Sequence, residues 1–346
     1  MTTLRKFWIK CSSWEYWPMW ILYIPVVLQH GWLSVKTRSL FFFLKVNPGI
    51  KKGFILSDPK WESFKLVPSE FLPITILLSK GESVAVKLRL FQKSGLDFPV
   101  ILKPDVGFRG LQVQKVTDLD MLKRQLESGP DIDMLVQEFV ALPAEFGVFY
   151  YRIPDRESGC IPSLTCKEFL SVTGNGVHTV AALIAGNDRA FLQFDRLQRK
   201  MIRLWNSIPE KGEIVPLEPI GNHNRGTKFL NGNDLIDSEL LEVFDRLNDR
   251  MPGFNFGRFD IRAASFEHLK AGDFKILEVN GIGAEPTHVY HPGYSLFKAW
   301  FDMAKLWRIA AEIAIGHRVN GERFPVYSEA KARYLQYRNY KKHLVY

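Results

Sequence analysis

The segments Phe256-Gly257-Arg258-Phe259-Asp260-Ile261-Arg262 and Phe274-Lys275-Ile276-Leu277-Glu278-Val279-Asn280 each alternate apolar and polar residues, the pattern of a half-buried strand. Alternation puts Arg258, Asp260 and Arg262 on one face of the first, and Glu278 and Asn280 on one face of the second. Side by side, the two strands present an Asp, a Glu and an Asn, a hard-oxygen set carrying two negative charges. Mg²⁺ binds through a few such carboxylates together with substrate phosphates. An ordinary hairpin with a solvated face would show the same alternation, so this pair alone leaves both readings open.

Two further stretches bear on phosphate and nucleotide chemistry. In Phe98-Pro99-Val100-Ile101-Leu102-Lys103-Pro104 a lysine ends an apolar strand, and Asp105-Val106-Gly107-Phe108-Arg109-Gly110 follows directly. Glycines let backbone N–H groups approach a phosphate, and the lysine adds charge. No Gly-Lys-Ser/Thr closes this loop, so it is not a strand–GxxxxGK[ST]–helix motif. Downstream, Gln137-Glu138-Phe139-Val140 ends a strand whose backbone can meet a planar base. Glu145, a few residues on, could hold ribose hydroxyls, although by spacing alone Glu138 and Glu145 read as two surface glutamates.

The elements that must hold these residues are legible in outline. Strands are predicted over 74–78, 98–103, 111–116, 134–140, 145–153, 161–170, 213–217 and the opening pair. Helices are predicted over 82–94, 118–126, 179–185, 188–205, 237–250, 295–315 (stopped by Gly316) and 328–343, with a Gly/Asn-rich loop over 221–232. Antiparallel pairs interspersed with helices indicate an α+β chain.

The order of these motifs resembles the ATP-grasp superfamily, in particular its carboxylate–amine ligases of the D-alanine–D-alanine ligase kind, over roughly residues 53–292. The resemblance implies an ATP-grasp fold, two α+β subdomains clasping ATP. The implied organisation is a Trp-rich basic extension (1–52), a short segment (53–80), the ATP-grasp domain (81–317) and a basic Tyr-rich tail (318–346). Nucleotide contacts are then implied for Lys60, Lys103, Gly107, Arg109, Gly110, Gln137, Glu138, Phe139, Val140 and Glu145. One or two Mg²⁺ (or Mn²⁺) ions are implied on Asp260, Glu278 and Asn280, and a role for Arg258 in countering charge on an acyl phosphate. Lys167, in Thr165-Cys166-Lys167-Glu168-Phe169-Leu170, matches a further phosphate-facing lysine. Gly174-Asn175-Gly176-Val177-His178-Thr179 resembles a segment of cyanophycin-synthetase-like members.

For the second substrate, the expected residues are Arg225 with Asn224 in His223-Asn224-Arg225-Gly226, and Glu285 and His288 in the loop after the last strand. Arg225 would hold a carboxylate or phosphate, and Glu285 or His288 would orient an amine or take its proton. The expected activity is an ATP- and Mg²⁺-dependent carboxylate–amine ligase using an acyl phosphate and releasing ADP and phosphate. A phosphotransferase that stops at phosphorylation, or a nucleotide-binding scaffold on the same fold, are the alternatives. The expected partners are a small-molecule or peptide carboxylate and an amine, not nucleic acid.

Charge is uneven along the 346 residues. The net charge is +9, with +7 in residues 1–60 and +5 in residues 318–346, so the body between them is slightly acidic. That excludes a basic nucleic-acid groove across the body and points to ends that meet something anionic. Five of the nine tryptophans fall within residues 1–43, around an apolar stretch (Trp17–Leu28) that is short for a bilayer span and carries Pro18 and Pro25. Trp beside Lys and Arg suits a membrane interface. A flap packed on the body or on a homodimer partner fits equally well. Three scattered cysteines argue for a reducing, cytoplasmic setting, with peripheral membrane contact as one reading of the ends.

Overall fold

The computed structural model describes residues 2–50, 58–107, 110–321 and 323–344. The chain is α+β, as expected, and its strands form two principal antiparallel sheets. The first contains β1 (Thr75–Leu78), β2 (Val100–Pro104), β3 (Gln114–Val116) and β4 (Met134–Glu138), in the order β1-β4-β2-β3. The helices Val84–Lys93 and Leu119–Ser128 pack on it through Leu78, Phe91, Leu102, Leu122 and Val136. Ser83 and Asp118 cap these helices by accepting from the N–H groups of Val86 and Met121.

The second sheet contains β5 (Ala144–Tyr151), β6 (Cys160–Glu168), β9 (Lys228–Asn231), β10 (Phe256–Ala263) and β11 (Phe274–Asn280), in the order β11-β10-β5-β6-β9; β7 (Ser171–Thr173) and β8 (Ile214–Pro216) pair separately. Strand alternation divides this sheet into an apolar face and a charged face. Phe146, Val148 and Tyr150 of β5 and Phe259, Ile261 and Ala263 of β10 join the core under the helix Ser238–Asp249. The intervening residues, Glu145 and Gly147 of β5 and Arg258, Asp260 and Arg262 of β10, therefore project to the opposite face. β9 lies inside the stretch expected to be loop.

The N-terminal segment is part of the body. Leu22, Val26, Leu33, Phe42 and Phe43 share a core with Met303, Leu306, Trp307 and Ala310 of the helix Leu296–Val319. Trp300 Nε1 donates to the Ile21 carbonyl (2.8 Å), and Gln29 Nε2 to that of Ala304 (2.9 Å). Pro25 sits in the first turn of the helix Ile24–Thr37, where a missing N–H costs nothing. Gly316 does not stop the long helix, which continues to Val319. Pro154 packs on it, and a Cβ at 316 would lie 3.0–3.2 Å from the proline ring. The helix expected over 188–205 comes as two pieces, Asp188–Phe191 and Phe194–Lys200; the break sets Gln193 Nε2 on the Asn224 carbonyl (2.9 Å). His317 is buried, with Nε2 3.1 Å from Asn255 Oδ1. Among the described residues no helix is long and apolar enough to cross a membrane.

Candidate active site

One cavity of about 1520 Å³ runs between the two sheets. Its charged wall is the polar face of the second sheet, and strand register sets the contacts. Glu145 of β5 is paired with Lys167 of β6 and with Arg262 of β10, and Asp260 of β10 with Glu278 of β11. Lys167 Nζ donates to Glu145 Oε1 (2.8 Å) and to Asp260 Oδ1 (2.9 Å). Asp260 Oδ2 accepts from Arg258 Nη2 (3.1 Å) and Asn280 Nδ2 (3.0 Å). Arg262 Nε donates to Glu145 Oε2 (3.1 Å). Five groups of alternating sign thus form a chain, Arg262–Glu145–Lys167–Asp260–Arg258.

These charges set the protonation states. Burial pushes the Asp260 carboxyl up, but Arg258 and Lys167 outweigh it and hold the group far below the usual carboxylate range. Burial also works against a charged Lys167, yet Asp260 and Glu145 outweigh that and raise it above an ordinary lysine. Both ions therefore persist through the neutral range.

Lys103 joins the two sheets. Its Nζ donates to Gln137 Oε1 (2.8 Å) across the first sheet and to the Leu277 carbonyl (2.9 Å) of the second. That carbonyl is free because β11 bulges: Asp260 pairs with Glu278 but Ile261 pairs with Ile276, leaving Leu277 without a partner residue on β10. Burial lowers Lys103 to about 8. Lys60 is also buried and holds the glycine loop by its backbone, donating to the carbonyls of Asp105 (3.3 Å) and Gly107 (3.1 Å), with Glu278 3.4 Å away.

Gly107, Gly110, Gln137, Glu138, Phe139 and Val140 line the cavity, as do Glu145, Lys60, Lys103 and Lys167. Arg109 lies outside the described residues. On the acceptor side Asn224 and Glu285 reach the cavity, and Glu285 Oε2 accepts from Tyr290 Oη (2.7 Å). Arg225 and His288 do not. Arg225 Nη2 donates to the carbonyls of Gly110 (2.7 Å) and Val113 (2.9 Å), so this guanidinium is spent bracing the end of the glycine loop. His288 is buried on the same face of the sheet but off the cavity, with Nδ1 2.8 Å from Ser163 Oγ and Nε2 3.5 Å from Asp302. Each lies in a short 3-10 turn, His223–Arg225 and Thr287–Tyr290, too short for spacing to give a facing rule; neither lines the cavity.

Three contributions were not assigned from sequence. Arg262 ties the hinge to the sheet by donating to the carbonyls of Val140 (3.2 Å) and Leu142 (3.1 Å); its shared face with Asp260 was the available signal. The tail helix Tyr327–Leu344 puts Arg338 and Lys341 on the cavity wall, and Tyr340 Oη accepts from the Val106 N–H (3.3 Å). Glu15, in the N-terminal segment, accepts from Arg189 Nη2 (2.6 Å), and His223 Nε2 lies 2.8 Å from it. No local signal marks a contact across such sequence distances.

The donor set fits a hard divalent cation. Asp260 is ionised, Glu278 opposes it in register, and Asn280 supplies an amide oxygen once its side chain turns. Among the described residues no further acidic, imidazole or thiol group completes a three-residue metal cluster. The in-register pair Asp260 and Glu278 is what Mg²⁺ takes, one or two carboxylates with phosphate and water filling its sphere. Arg258 Nε is buried and has no acceptor among the described residues.

No family model matches the chain, and no curated protein matches it. The solved structures similar to it include three ligases. With a D-alanine–D-alanine ligase from Bacillus anthracis complexed with ATP it shares 15% identity over 76% of this chain and 68% of that one, at a TM-score of 0.42. For the VanG D-Ala:D-Ser ligase from Enterococcus faecalis the values are 15%, 74%, 59% and 0.40. For a bifunctional glutathione synthetase from Pasteurella multocida they are 15%, 75%, 37% and 0.39, so this chain spans little more than a third of that protein. At such scores the functional reading rests on the cavity's own residues.

Proposed function

We propose that the chain is an ATP- and Mg²⁺-dependent carboxylate–amine ligase of the ATP-grasp kind. The carrying observation is the buried chain Glu145–Lys167–Asp260–Arg258, with Glu278 and Asn280 beside it and Lys103 bridging the two sheets over the same cavity. Burying so many ions is costly unless their charges are used. A phosphoryl group in transfer needs charge stabilisation at its oxygens rather than a covalent protein nucleophile.

In this reading the nucleotide lies between the sheets, its base against Gln137–Val140 and its ribose near Glu145. Lys103 and Lys60 meet the phosphates, Lys60 by carrying the glycine loop. Asp260, Glu278 and Asn280 would hold Mg²⁺, which when bound neutralises charge on the phosphate oxygens. The substrate carboxylate attacks the γ-phosphorus, the bond from that phosphorus to the ADP oxygen breaks, and ADP leaves. An amine nitrogen then attacks the acyl carbon. The C–N bond forms, the C–O bond to phosphate breaks, and the amine loses a proton, for which Glu285 is the nearest candidate acceptor on the wall. Arg258, whose side chain lines the cavity, stabilises the oxyanion at the acyl carbon.

The test is a coupled assay for ADP and inorganic phosphate over panels of carboxylates and amines. The ligase reading requires equal release of both, dependent on carboxylate and amine together. ADP release without amine, with a stable phosphorylated product, would replace it with a phosphotransferase.

A further inference from the structure

The cavity is larger than one nucleotide site needs. Pockets for single small ligands run roughly 300–1,000 Å³, and this one is about 1520 Å³. Its two ends differ in chemistry. One carries the charges described above. The other is walled by Trp14, Tyr16, Trp17, Met19, Trp20 and Tyr23, all from the N-terminal segment. Glu15 pins that segment to Arg189 and His223, and Arg5 and Lys6 pin its first helix by contacts to Asp188 and Asp195, each 2.7 Å. The aromatic wall is thus fixed to the body by ion pairs at several points. Glu285 and His223 line the cavity between the two ends.

The aromatic end opens onto an apolar surface. Trp17, Met19 and Trp20 line the cavity yet are 41%, 36% and 65% exposed. The next helix, Ile24–Thr37, buries Val26 and Leu33 but shows solvent Val27, Leu28, Trp32 and Val35, so it is apolar on both faces. Its neighbour Leu296–Val319 exposes Phe297 and Phe301. Lys36 lies over the Trp32 ring (5.5 Å) and Arg308 over that of Phe301 (6.0 Å). Aromatic and aliphatic side chains bordered by cations are the composition of a lipid-interface surface.

Building on the ligase reading, we propose that the N-terminal segment forms the second-substrate chamber, and that its substrate is an amphiphile: a carboxylate or amine head group on a long apolar chain. The head group reaches the charged end past Glu285 while the chain lies along the tryptophans and leaves through the mouth at Trp17–Trp20. Such a molecule comes from a lipid bilayer or from free monomer, and the same site serves both.

The test titrates acetate, hexanoate and dodecanoate into the full-length protein by calorimetry. It also follows tryptophan fluorescence with 9,10-dibromostearate, whose bromines quench indole at contact. Dodecanoate is expected to bind at least about tenfold more tightly than hexanoate, since each buried methylene adds affinity, and the brominated chain is expected to quench. Met19→Glu and Trp20→Glu change exposed positions, and their thermal midpoints report folding; in folded protein each is expected to abolish the chain-length preference. Offering the brominated chain in phosphatidylcholine–phosphatidylglycerol vesicles and as free monomer identifies the source. Equal binding of the three acids, or a preference that survives both variants, overturns the chamber. ATP–Mg²⁺ binding on the same protein separates the two ideas: nucleotide binding with a flat chain-length series removes the chamber alone, and a chain-length preference without nucleotide binding removes the ligase reading alone.

Discussion

Replacing Lys167 by methionine keeps much of the side chain's volume and deletes one charge from the middle of the buried chain. Lys167 is the shared partner of Glu145 and Asp260, at 2.8 and 2.9 Å, and its side chain is only 5% exposed. Removing one member of a buried ion pair costs about 3–5 kcal/mol. Here each carboxylate keeps a second cation, Arg262 for Glu145 and Arg258 for Asp260, both at 3.1 Å, so the loss belongs at the lower end, about 3 kcal/mol. A chain of this length has an unfolding entropy of about 0.7 kcal/mol/K, so the midpoint should fall by about 4 °C at pH 7. The sign of the pH dependence follows from the two shifts. Asp260 is depressed in the fold, so its contribution is present above an unfolded pKa of about 3.9 and is lost as pH falls toward the folded value. Lys167 is raised, so its contribution is complete below an unfolded pKa of about 10.4 and is lost as pH rises through the folded value. The difference between wild type and Lys167→Met should therefore hold level through the neutral range to about pH 10 and shrink above it as Lys167 deprotonates, while at the acid end it shrinks only as pH nears the depressed folded pKa of Asp260. Scanning calorimetry across pH measures it. A midpoint change under 1 °C at pH 7, or a penalty unchanged above about pH 11, would refute the view that Lys167 holds the two carboxylates.

Other outcomes follow from single contacts. Lys103 is lowered to about 8 by burial, so ATP affinity should weaken as pH rises through that value, by up to about tenfold per unit, with proton uptake on binding; calorimetry at pH 7, 8 and 9 in two buffers reads both. Arg225→Leu should weaken nucleotide binding through loss of its bonds to Gly110 and Val113 while leaving the KM for the carboxylate unchanged; a rise confined to the carboxylate KM would restore a substrate role. At Gly221 a Cβ would lie 2.3 Å from Glu145 Oε1, so Gly221→Ala should displace a paired buried carboxylate and cost about 1–3 kcal/mol by urea melting. His288→Gln should leave kcat near wild type and lower the thermal midpoint, because the buried ring bonds Ser163 and does not line the cavity.

What the sequence revealed divides along strands and loops. Asp260, Glu278 and Asn280 were legible because a period of two assigns faces without knowledge of the partner strand, and the pairing of β10 with β11 brought those faces together. Glu145 and Lys167 meet by the same rule, although only the sheet order shows that they share Asp260. Arg225 and His288 were expected at the second substrate but lie off the cavity lining, because a short 3-10 turn carries no such rule, and backbone carbonyls or a buried serine took their side chains. The bulge at Leu277, which gives Lys103 its second acceptor, breaks the alternation on which the reading depended. Glu15 and the tail residues Arg338 and Lys341 reach the cavity only through tertiary packing of the two ends, whose charge signalled an anionic partner in general. Gly316 reads as a helix stop by propensity, yet it lies within the helix, where the ring of Pro154 packs close enough that a Cβ would be crowded.

The most direct test of the central reading is the titration of a non-hydrolysable ATP analogue, with and without Mg²⁺, into wild type and Glu278→Gln. Glu278 is the suitable probe because its side chain is 30% exposed and its ion pair is a 3.4 Å contact to Lys60, so the substitution leaves the buried chain of ions in place. The account predicts saturable 1:1 binding that depends on Mg²⁺, and at least about tenfold weaker Mg²⁺-dependent binding in the variant, the loss of one metal ligand. No nucleotide binding, or binding indifferent to both Mg²⁺ and Glu278, would contradict it.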